Sequence, residues 1–209
     1  MNHDYFKRAL KTLVRTLIMN LPNTEQTLGP TAAHENLNSH TSLTELVDHI
    51  EATHHAYLHE EIPRLAALAS DVVHAHGNKD PRLREAQQTF VGMAIKLWCH
   101  MLKEEQCLFP RIRQIEANDQ PPSAHCENVS NPIRQMEVEH DDAGSALNRL
   151  RELTDGFSPP EWACKKYRSL LAGFAYLERD MQRHIDKEDN VLFPSALKLE
   201  ARRQVRPGA

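Results

Sequence analysis

One sequence pattern occurs twice in this chain and constrains its fold more than any other feature. The pattern H-x-x-K-E-x-x-x-L-F-P begins at His100 and begins again at His184. The His and the Glu of each copy are four residues apart, so in an α-helix they lie on the same face, one turn apart. A single pair of this kind is commonly a polar pair on a solvated face. Two facing helices that carry it would bring two His and two Glu into one interior, which is how helix bundles build dinuclear metal sites.

The composition indicates a helical globular protein. The chain has 209 residues, of which 40% are hydrophobic and only 7 are Gly, and Val, Ile and Thr do not alternate as in strands. A net charge of −4 gives no electrostatic reason for binding nucleic acid. No apolar run reaches the roughly 18 residues of a membrane-spanning helix, and the first residues lack a secretory cleavage region, so we expect a cytoplasmic protein. The four Cys form no C-x-x-C pair, which favours reduced thiols over a zinc ribbon or a disulfide framework.

Three segments are expected along the chain. Residues 1–40 form an N-terminal extension and linker, residues 41–200 form the helical domain, and residues 201–209 form a frayed tail. Within the extension, apolar residues recur at helical spacing over 5–18, with Lys and Arg between them. This short helix either lies on a membrane surface or, as we favour, docks on the helical domain.

Four long helices are predicted from the spacing of apolar residues and from their capping residues. Ser42 and Glu45 form a capping-box pattern at the first helix, and Ser158 and Glu161 form another at the last. Pro110 is expected to bend or break the second helix. Short to moderate connections suggest an all-α, up-down-up-down four-helix bundle. The predicted helices cover about 42–73, 82–116, 131–153 and 158–199.

Each long helix contributes one His to the expected interior. His55 falls within the apolar stripe of the first helix, although a lone His on an apolar face is more often a core residue than a ligand. His140 continues an apolar face of the third helix at seven-residue spacing, despite its charged neighbours. The repeated pattern adds one Glu to each of the other two helices. The predicted metal ligands are therefore His55, His100, Glu104, His140, His184 and Glu188.

This ligand set constrains the metal. Four imidazoles and two carboxylates without thiolates suit iron or manganese better than zinc. If Glu104 and Glu188 both bridge two ions, each six-coordinate ion keeps room for an oxo, hydroxo or water bridge and for an exchangeable ligand. Two carboxylates do not neutralise two divalent ions, which also favours anionic bridges. We therefore expect a carboxylate-bridged dinuclear centre with an open coordination position.

Other polar residues each allow two interpretations. Tyr176 and Glu139 are either proton or electron relays beside the site or, as we favour, ordinary helix residues. His125 and Cys126 either bind a metal or belong to a loop, and we favour the loop. His76 shares the helical phase of His55 but lies 21 residues further on, roughly 31 Å along a continuous helix, and so cannot reach the same site.

The motifs resemble those of haemerythrin-like bundles and, among these, the di-iron proteins of the repair-of-iron-centres family. The resemblance covers about residues 42–199 and rests on both copies of the repeated pattern, on Asp48-His49-Ile50 with His55, and on Glu139-His140-Asp141 with Ala143-Gly144. It implies a haemerythrin-like bundle with two non-haem iron ions and a role in nitrosative or oxidative stress. It also implies either binding of nitric oxide or supply of iron to damaged iron–sulfur clusters.

Three details depart from the family patterns. Oxygen-carrying haemerythrins place a further His one turn after the ligand of the third helix, where this chain has Gly144. Many repair proteins carry paired Cys in an N-terminal module, and residues 1–40 contain none. Oxygen carriers also space the carboxylate five residues after the His of the fourth helix, which makes Asp189 the second choice after Glu188.

The leading hypothesis is a stress protein that binds nitric oxide at an open di-iron centre, supplies iron for repair of iron–sulfur clusters, or both. A metal-binding role is favoured over a turnover catalyst. The alternatives are an oxygen or redox sensor or carrier and an enzyme, either a nitric oxide reductase or a peroxidase. The expected partners are nitric oxide or oxygen as small ligands and iron–sulfur proteins as clients. Neither nucleic acid nor a membrane is expected, and a homodimer is left open.

Overall fold

A computed structural model describes residues 41–117 and 128–204, and these residues form helices joined by short turns. The predicted helix over 5–18, the pair His125 and Cys126, and the end of the tail lie outside the described residues. Within the described ranges there is no strand, which confirms the all-α prediction. None of the helices there is both long and apolar enough to cross a membrane. Cys99, Cys107 and Cys164 are free thiols, as predicted.

The described residues contain four long helical stretches, the number that the predicted bundle requires, and π-helical turns interrupt three of them. The α-helices are α1 (Leu43–Ile50), α2 (Ala56–His76), α3 (Arg82–Lys103), α4 (Phe109–Ala117), α5 (Ser130–Leu153), α6 (Lys165–Lys187) and α7 (Phe193–Gln204). The π-helical turns are π1 (Glu51–His55), π2 (Glu104–Leu108) and π3 (Glu188–Leu192). The predicted first and last residues of the first three long helices agree with the structure within a few residues.

The described residues divide into two compact units. The motif unit contains both copies of the repeated pattern and consists of 41–56, 99–117, 128–142 and 180–204. The turn unit contains the connections at 77–81 and 154–164 and consists of Tyr57–Trp98 and Ala143–Arg179.

Apolar residues at helical spacing hold the motif unit together. Helix α1 packs against α4, and α4 packs against α7. The amides of Leu43 and Thr44 in the first turn of α1 donate to the Glu116 carboxylate, at 2.7 and 2.8 Å. The predicted capping box of Ser42 and Glu45 is confirmed, since each side chain accepts from the backbone amide of the other. The buried core residues include Val47, Ile50, Leu108, Phe109, Ile112, Ile133, Met136, Leu192 and Phe193.

The two Leu-Phe-Pro segments explain why the helices widen instead of breaking. A proline has no amide proton, and its ring clashes with the preceding helical turn. In the structure π2 ends two residues before Pro110 and π3 ends two residues before Pro194, after which α-helix resumes. The wider turn accommodates the proline within a continuous helix. Such turns are often found at functional sites.

The start of the fourth helix was predicted wrongly. The structure begins α6 at Lys165, seven residues after Ser158, and the capping box of Ser158 and Glu161 does not form. Consecutive prolines at 159 and 160 disfavour helical backbone at the residue before each. A turn forms there instead, closed by the Ala163 amide donating to the Pro160 carbonyl at 2.9 Å. At the other end, α7 continues to Gln204, beyond the predicted end near Leu199.

The ion pair between the buried Asp80 and the exposed Arg82 in the turn unit should make stability depend on pH. Asp80 accepts bonds from both the backbone amide and the guanidinium of Arg82, and the Tyr167 hydroxyl donates to it at 3.4 Å. The bonds from Arg82 lower the pKa of Asp80. A carboxyl group whose pKa is lower in the folded state than in the unfolded state stabilises the fold at pH values above its unfolded-state pKa, which is near 4. This stabilisation is lost as the pH falls through the folded-state pKa.

Asp80→Asn is therefore expected to lower the free energy of unfolding at pH 7 by about 1–3 kcal/mol, and the difference from wild type should shrink below about pH 4. Urea unfolding of the metal-free wild type and variant, once at pH 7 and once below about pH 4, measures this difference in the free energy of unfolding. The control is Asp71→Asn, which removes an exposed ion pair with Lys166 and should change stability by less than about 1 kcal/mol. An equal loss at both pH values would refute the electrostatic explanation.

Gly173 in α6 is required by a close contact within the turn unit. A Cβ atom at this position would overlap Cδ2 of the buried Leu65. Gly173→Ala is expected to destabilise the protein by about 1–3 kcal/mol because the core would have to move. Gly92 in α3 provides the matched control, since a Cβ there meets no atom within 4 Å. Gly92→Ala should stabilise by about 0.5–1 kcal/mol in the same urea titration, and equal effects of both variants would contradict the packing argument.

Candidate metal centre

The structure brings all six predicted ligands together in the motif unit, where each side chain is at most 4% exposed. His55 is the last residue of π1, and Glu104 and Glu188 are the first residues of π2 and π3. His100, His140 and His184 lie on α3, α5 and α6. The three π-helical turns therefore each place one of these side chains in the interior.

The donor atoms form two overlapping groups, and within each group all the atoms lie within 4.8 Å of one another. One group is His55 and His184 with Glu104 and Glu188, and the other is His100 and His140 with the same two Glu. Two imidazoles are thus specific to each group, while both carboxylates are shared. This is the arrangement that two metal ions bridged by carboxylates require.

The Nε2 atoms of the four His all point at these carboxylates. Nε2 of His55 and Nε2 of His100 each lie 3.3 Å from Oε2 of Glu104. Nε2 of His140 and Nε2 of His184 lie 3.1 and 3.0 Å from the two oxygens of Glu188. The Nε2 atoms of His100 and His140 are only 3.2 Å apart. Nitrogens with lone pairs approach this closely when a proton or a cation lies between them.

Several buried polar atoms at this centre have no hydrogen-bond partner among the described residues. They are both oxygens of Glu104, Oε2 of Glu188 and Nε2 of His55. Leaving a buried polar atom unpaired costs roughly 1–3 kcal/mol, and more for a charged group. A metal ion is the group that would satisfy carboxylate oxygens and imidazole nitrogens together, so the residues fit a metal.

Three further carboxylates support the His ligands and were not predicted as such. Nδ1 of His55 donates to Glu105 at 2.8 Å, Nδ1 of His100 to Glu139 at 3.1 Å, and Nδ1 of His140 to Asp189 at 2.9 Å. A carboxylate can only accept, so each Nδ1 carries the proton and leaves Nε2 as the metal-binding atom. Bonds of this kind fix the orientation of a ligand and raise its basicity.

The repeated pattern contained a signal for two of these supports. The residue after the shared Glu is acidic in both copies, Glu105 in the first and Asp189 in the second. Asp189 had been the second choice as a bridging carboxylate, and the structure places it against His140 instead. Glu139 had been weighed as a relay, and the structure places it between His100 and the ammonium of Lys103. Tyr176 lies in the turn unit, exposed, with the Arg179 guanidinium over its ring.

Carboxylates at both edges of the imidazoles change the protonation of the metal-free site. Burial alone would lower the pKa of His55 and His100, but their carboxylate neighbours outweigh it and raise both pKa values to about 9. The same balance raises the pKa of His140 to about 10. Glu188 is buried, which alone would raise its pKa, but His184 and His140 lower it strongly. Metal ions must therefore displace protons from these imidazoles when they bind.

The Phe of each repeated pattern contacts a ligand from a different helix. The ring of Phe109 stacks on His55, with centroids 5.6 Å apart, and the ring of Phe193 stacks on His140 at 6.0 Å. Leu108 and Leu192 fill the core beside them. The Leu-Phe-Pro part of each pattern thus packs a Phe ring against the face of one imidazole of the centre.

One buried His near the centre was not predicted. His54 had been placed off the apolar stripe, yet it is 3% exposed and its ring lies parallel to that of His184, with centroids 5.1 Å apart. Its Nδ1 lies 2.9 Å from Asp180, and Lys187 lies 3.1 Å from its Nε2. The π1 turn widens the helix at this point, which a regular helical projection does not anticipate.

Comparison with known proteins supports the resemblance seen in the motifs. The haemerythrin HHE cation-binding domain matches residues 46–196. The iron–sulfur cluster repair protein YtfE of Enterobacter sp. (strain 638) is 36% identical over 156 residues, which are 75% of this chain and 67% of that protein. YtfE of Edwardsiella ictaluri (strain 93-146) is 37% identical over 155 residues, 74% of this chain and 66% of that protein. The chain spans about two thirds of the length of these relatives, and the matches confirm the predicted haemerythrin-like fold.

Proposed function

This chain belongs to the haemerythrin HHE cation-binding family, and from that premise we propose that it is a non-haem di-iron protein that supplies iron for the repair of iron–sulfur clusters. The observation that carries the proposal is the pair of buried donor groups that share Glu104 and Glu188. The relatives named for iron–sulfur cluster repair support the choice of iron and of client.

The donor set explains why iron suits the centre. Imidazole nitrogens and carboxylate oxygens without a thiolate favour iron or manganese over zinc or copper. Glu104 and Glu188 would contribute to holding both ions, with His55 and His184 specific to one and His100 and His140 specific to the other. The three supporting carboxylates, Glu105, Glu139 and Asp189, add negative charge beyond that of Glu104 and Glu188, which would stabilise a cationic centre further.

The protein's own residues define what the centre can do. Bound iron would supply Lewis-acid and redox chemistry and coordination positions that small ligands can occupy. The chain supplies a buried cavity, fixed Nε2 lone pairs, and three carboxylate oxygens, both of Glu104 and Oε2 of Glu188, that have no hydrogen-bond partner among the described residues. Four protein donors to each ion hold it less firmly than a complete six-donor shell would, so the ion can leave without unfolding the domain.

Transfer of iron to a client protein tests the proposal. The full chain, loaded anaerobically with ⁵⁷Fe(II), is mixed with a one-electron reductant and an iron–sulfur protein whose cluster has lost one iron ([3Fe–4S]⁺), and reassembly of the [4Fe–4S]²⁺ cluster is followed by Mössbauer and absorption spectra. We expect ⁵⁷Fe in the client cluster at a rate above that of the same amount of Fe(II) held by a chelator of matched affinity. Assembly no faster than from the chelator would contradict iron supply.

Binding of nitric oxide is the second function that an observation favours. Glycine at position 144 supplies no imidazole where the oxygen carriers of the family have their further His. Each ion would then keep a coordination position for a small ligand, which favours nitric oxide binding over reversible oxygen carriage. Titration of the di-ferrous protein with nitric oxide should change its electron paramagnetic resonance spectrum stoichiometrically. A stable oxygen adduct of the di-ferrous protein would favour an oxygen carrier. Sustained consumption of nitric oxide in the presence of an electron donor would favour a nitric oxide reductase.

A further inference from the structure

The four His of the centre are not supported equally. Nδ1 of His55, His100 and His140 each donates to a carboxylate at 2.8 to 3.1 Å. Nδ1 of His184 is buried and has no hydrogen-bond partner among the residues that the structure describes. The imidazole of His184 is 1% exposed, so bulk water does not take the place of the missing carboxylate.

The ring that lies against His184 is that of His54, whose own Nδ1 bonds to a carboxylate. The ring of His54 stacks on His184 with an interplanar angle of 1°. Lys187 lies 3.1 Å from Nε2 of His54, and an ammonium group can only donate. Nε2 of His54 therefore accepts, and its Nδ1 carries the proton and donates to Asp180 at 2.9 Å. Oδ1 of Asp180 thus accepts from His54. Oδ2 of Asp180 does not accept from Nδ1 of His184, since neither atom has a hydrogen-bond partner among the described residues.

The two donor groups differ in consequence. The group of His100 and His140 has a carboxylate behind each imidazole, whereas the group of His55 and His184 has one behind His55 only. A carboxylate that receives the second ring proton makes the imidazole a stronger donor and fixes its rotation. Loss of such a support typically weakens metal binding about 10- to 100-fold.

We propose that the two metal positions are unequal, and that the ion held by His55 and His184 is the labile one that the protein gives up. This inference rests on the proposed function, because it assumes two bound ions and assigns the donated ion to one of the two groups. The ion held by His100 and His140 remains bound and keeps Glu104 and Glu188 in place for reloading. The chain thus combines an exchangeable position with a retained one.

Release of iron to a chelator tests this assignment without any assay of activity. The full chain is loaded anaerobically with Fe(II) and mixed with an excess of a chromogenic ferrous chelator, and iron removal is followed by absorbance. We expect two phases of equal amplitude, one ion each, with the slow phase about 10- to 100-fold slower than the fast phase.

Matched variants assign the phases to the two positions. Asp189→Asn removes the support of His140 and should accelerate the slow phase alone, whereas Glu105→Gln removes the support of His55 and should accelerate the fast phase alone. Asp186→Asn changes an exposed carboxylate in the last turn of α6, whose bond is to the Asn190 side chain. It should leave both phases unchanged, which controls for general electrostatic effects.

The outcomes separate failure of the inference from failure of the proposed function. Two ions that leave in a single phase, or an accelerated fast phase in Asp189→Asn, would overturn the assignment while leaving a di-iron protein. Fewer than two ions bound at the start would overturn the proposed function itself. Release in two phases, assigned as above, would support unequal positions.

Discussion

Replacing Glu188 by alanine is expected to abolish binding of both metal ions, because its carboxylate belongs to both donor groups. The variant also leaves His140 and His184 without the buried carboxylate that lies 3.1 and 3.0 Å from them. Removing one partner of a buried pair costs roughly 3–5 kcal/mol, so the variant should unfold at lower urea concentration. Metal analysis of the folded fraction, isolated by gel filtration, measures the loss.

Two other variants distinguish a side chain that belongs to both donor groups from one that belongs to a single group. His100 belongs to one donor group only, so His100→Ala is expected to retain about one metal ion per chain. Asp186→Ala removes an exposed carboxylate two residues before Glu188 in the same helical stretch and should retain both ions. Retention of two ions by Glu188→Ala would show that the carboxylate is not a bridge.

Phe109→Ala is expected to cost about 3–5 kcal/mol of stability, because it empties a large volume in the core of the motif unit. The ring is fully buried and stacks on His55. Its loss should also let the imidazole rotate, so metal affinity should fall together with stability. Urea unfolding of the metal-free variant gives the first effect, and competition with a chelator gives the second.

Val191→Ala is the control for this prediction. Val191 lies in π3 of the other copy of the pattern and is 44% exposed. Its truncation removes little buried surface and should change the free energy of unfolding by less than about 0.5 kcal/mol. A similar loss in both variants would contradict the assignment of the loss in stability to the emptied volume of the buried ring.

The six side chains that cluster at the candidate centre could be predicted from the sequence because their signal is local and repeated. His100 and Glu104 are four residues apart on one helix face, and the second copy supplies His184 and Glu188 at the same spacing. The position of His55 followed from the apolar stripe of its helix. Each inference needs only the helical period and the assumption that apolar faces meet in a core.

The supporting residues could not be found in the same way. Glu105 and Asp189 directly follow the shared Glu, and adjacent residues of a helix point to different faces. Each reaches an imidazole of another helix, so its role depends on how the helices pack. His54 was missed because π1 changes the helical phase at that point. The start of α6 was missed because a capping pattern was given more weight than two consecutive prolines.

The metal content of the anaerobically purified full chain tests the central claim most directly. Inductively coupled plasma mass spectrometry gives the identity and number of metal ions, and Mössbauer spectroscopy of ⁵⁷Fe-enriched protein shows whether the ions are coupled. The shared carboxylates of Glu104 and Glu188 predict two iron ions per chain with the spectrum of a bridged pair. One ion per chain, zinc in place of iron, or no metal would contradict the account.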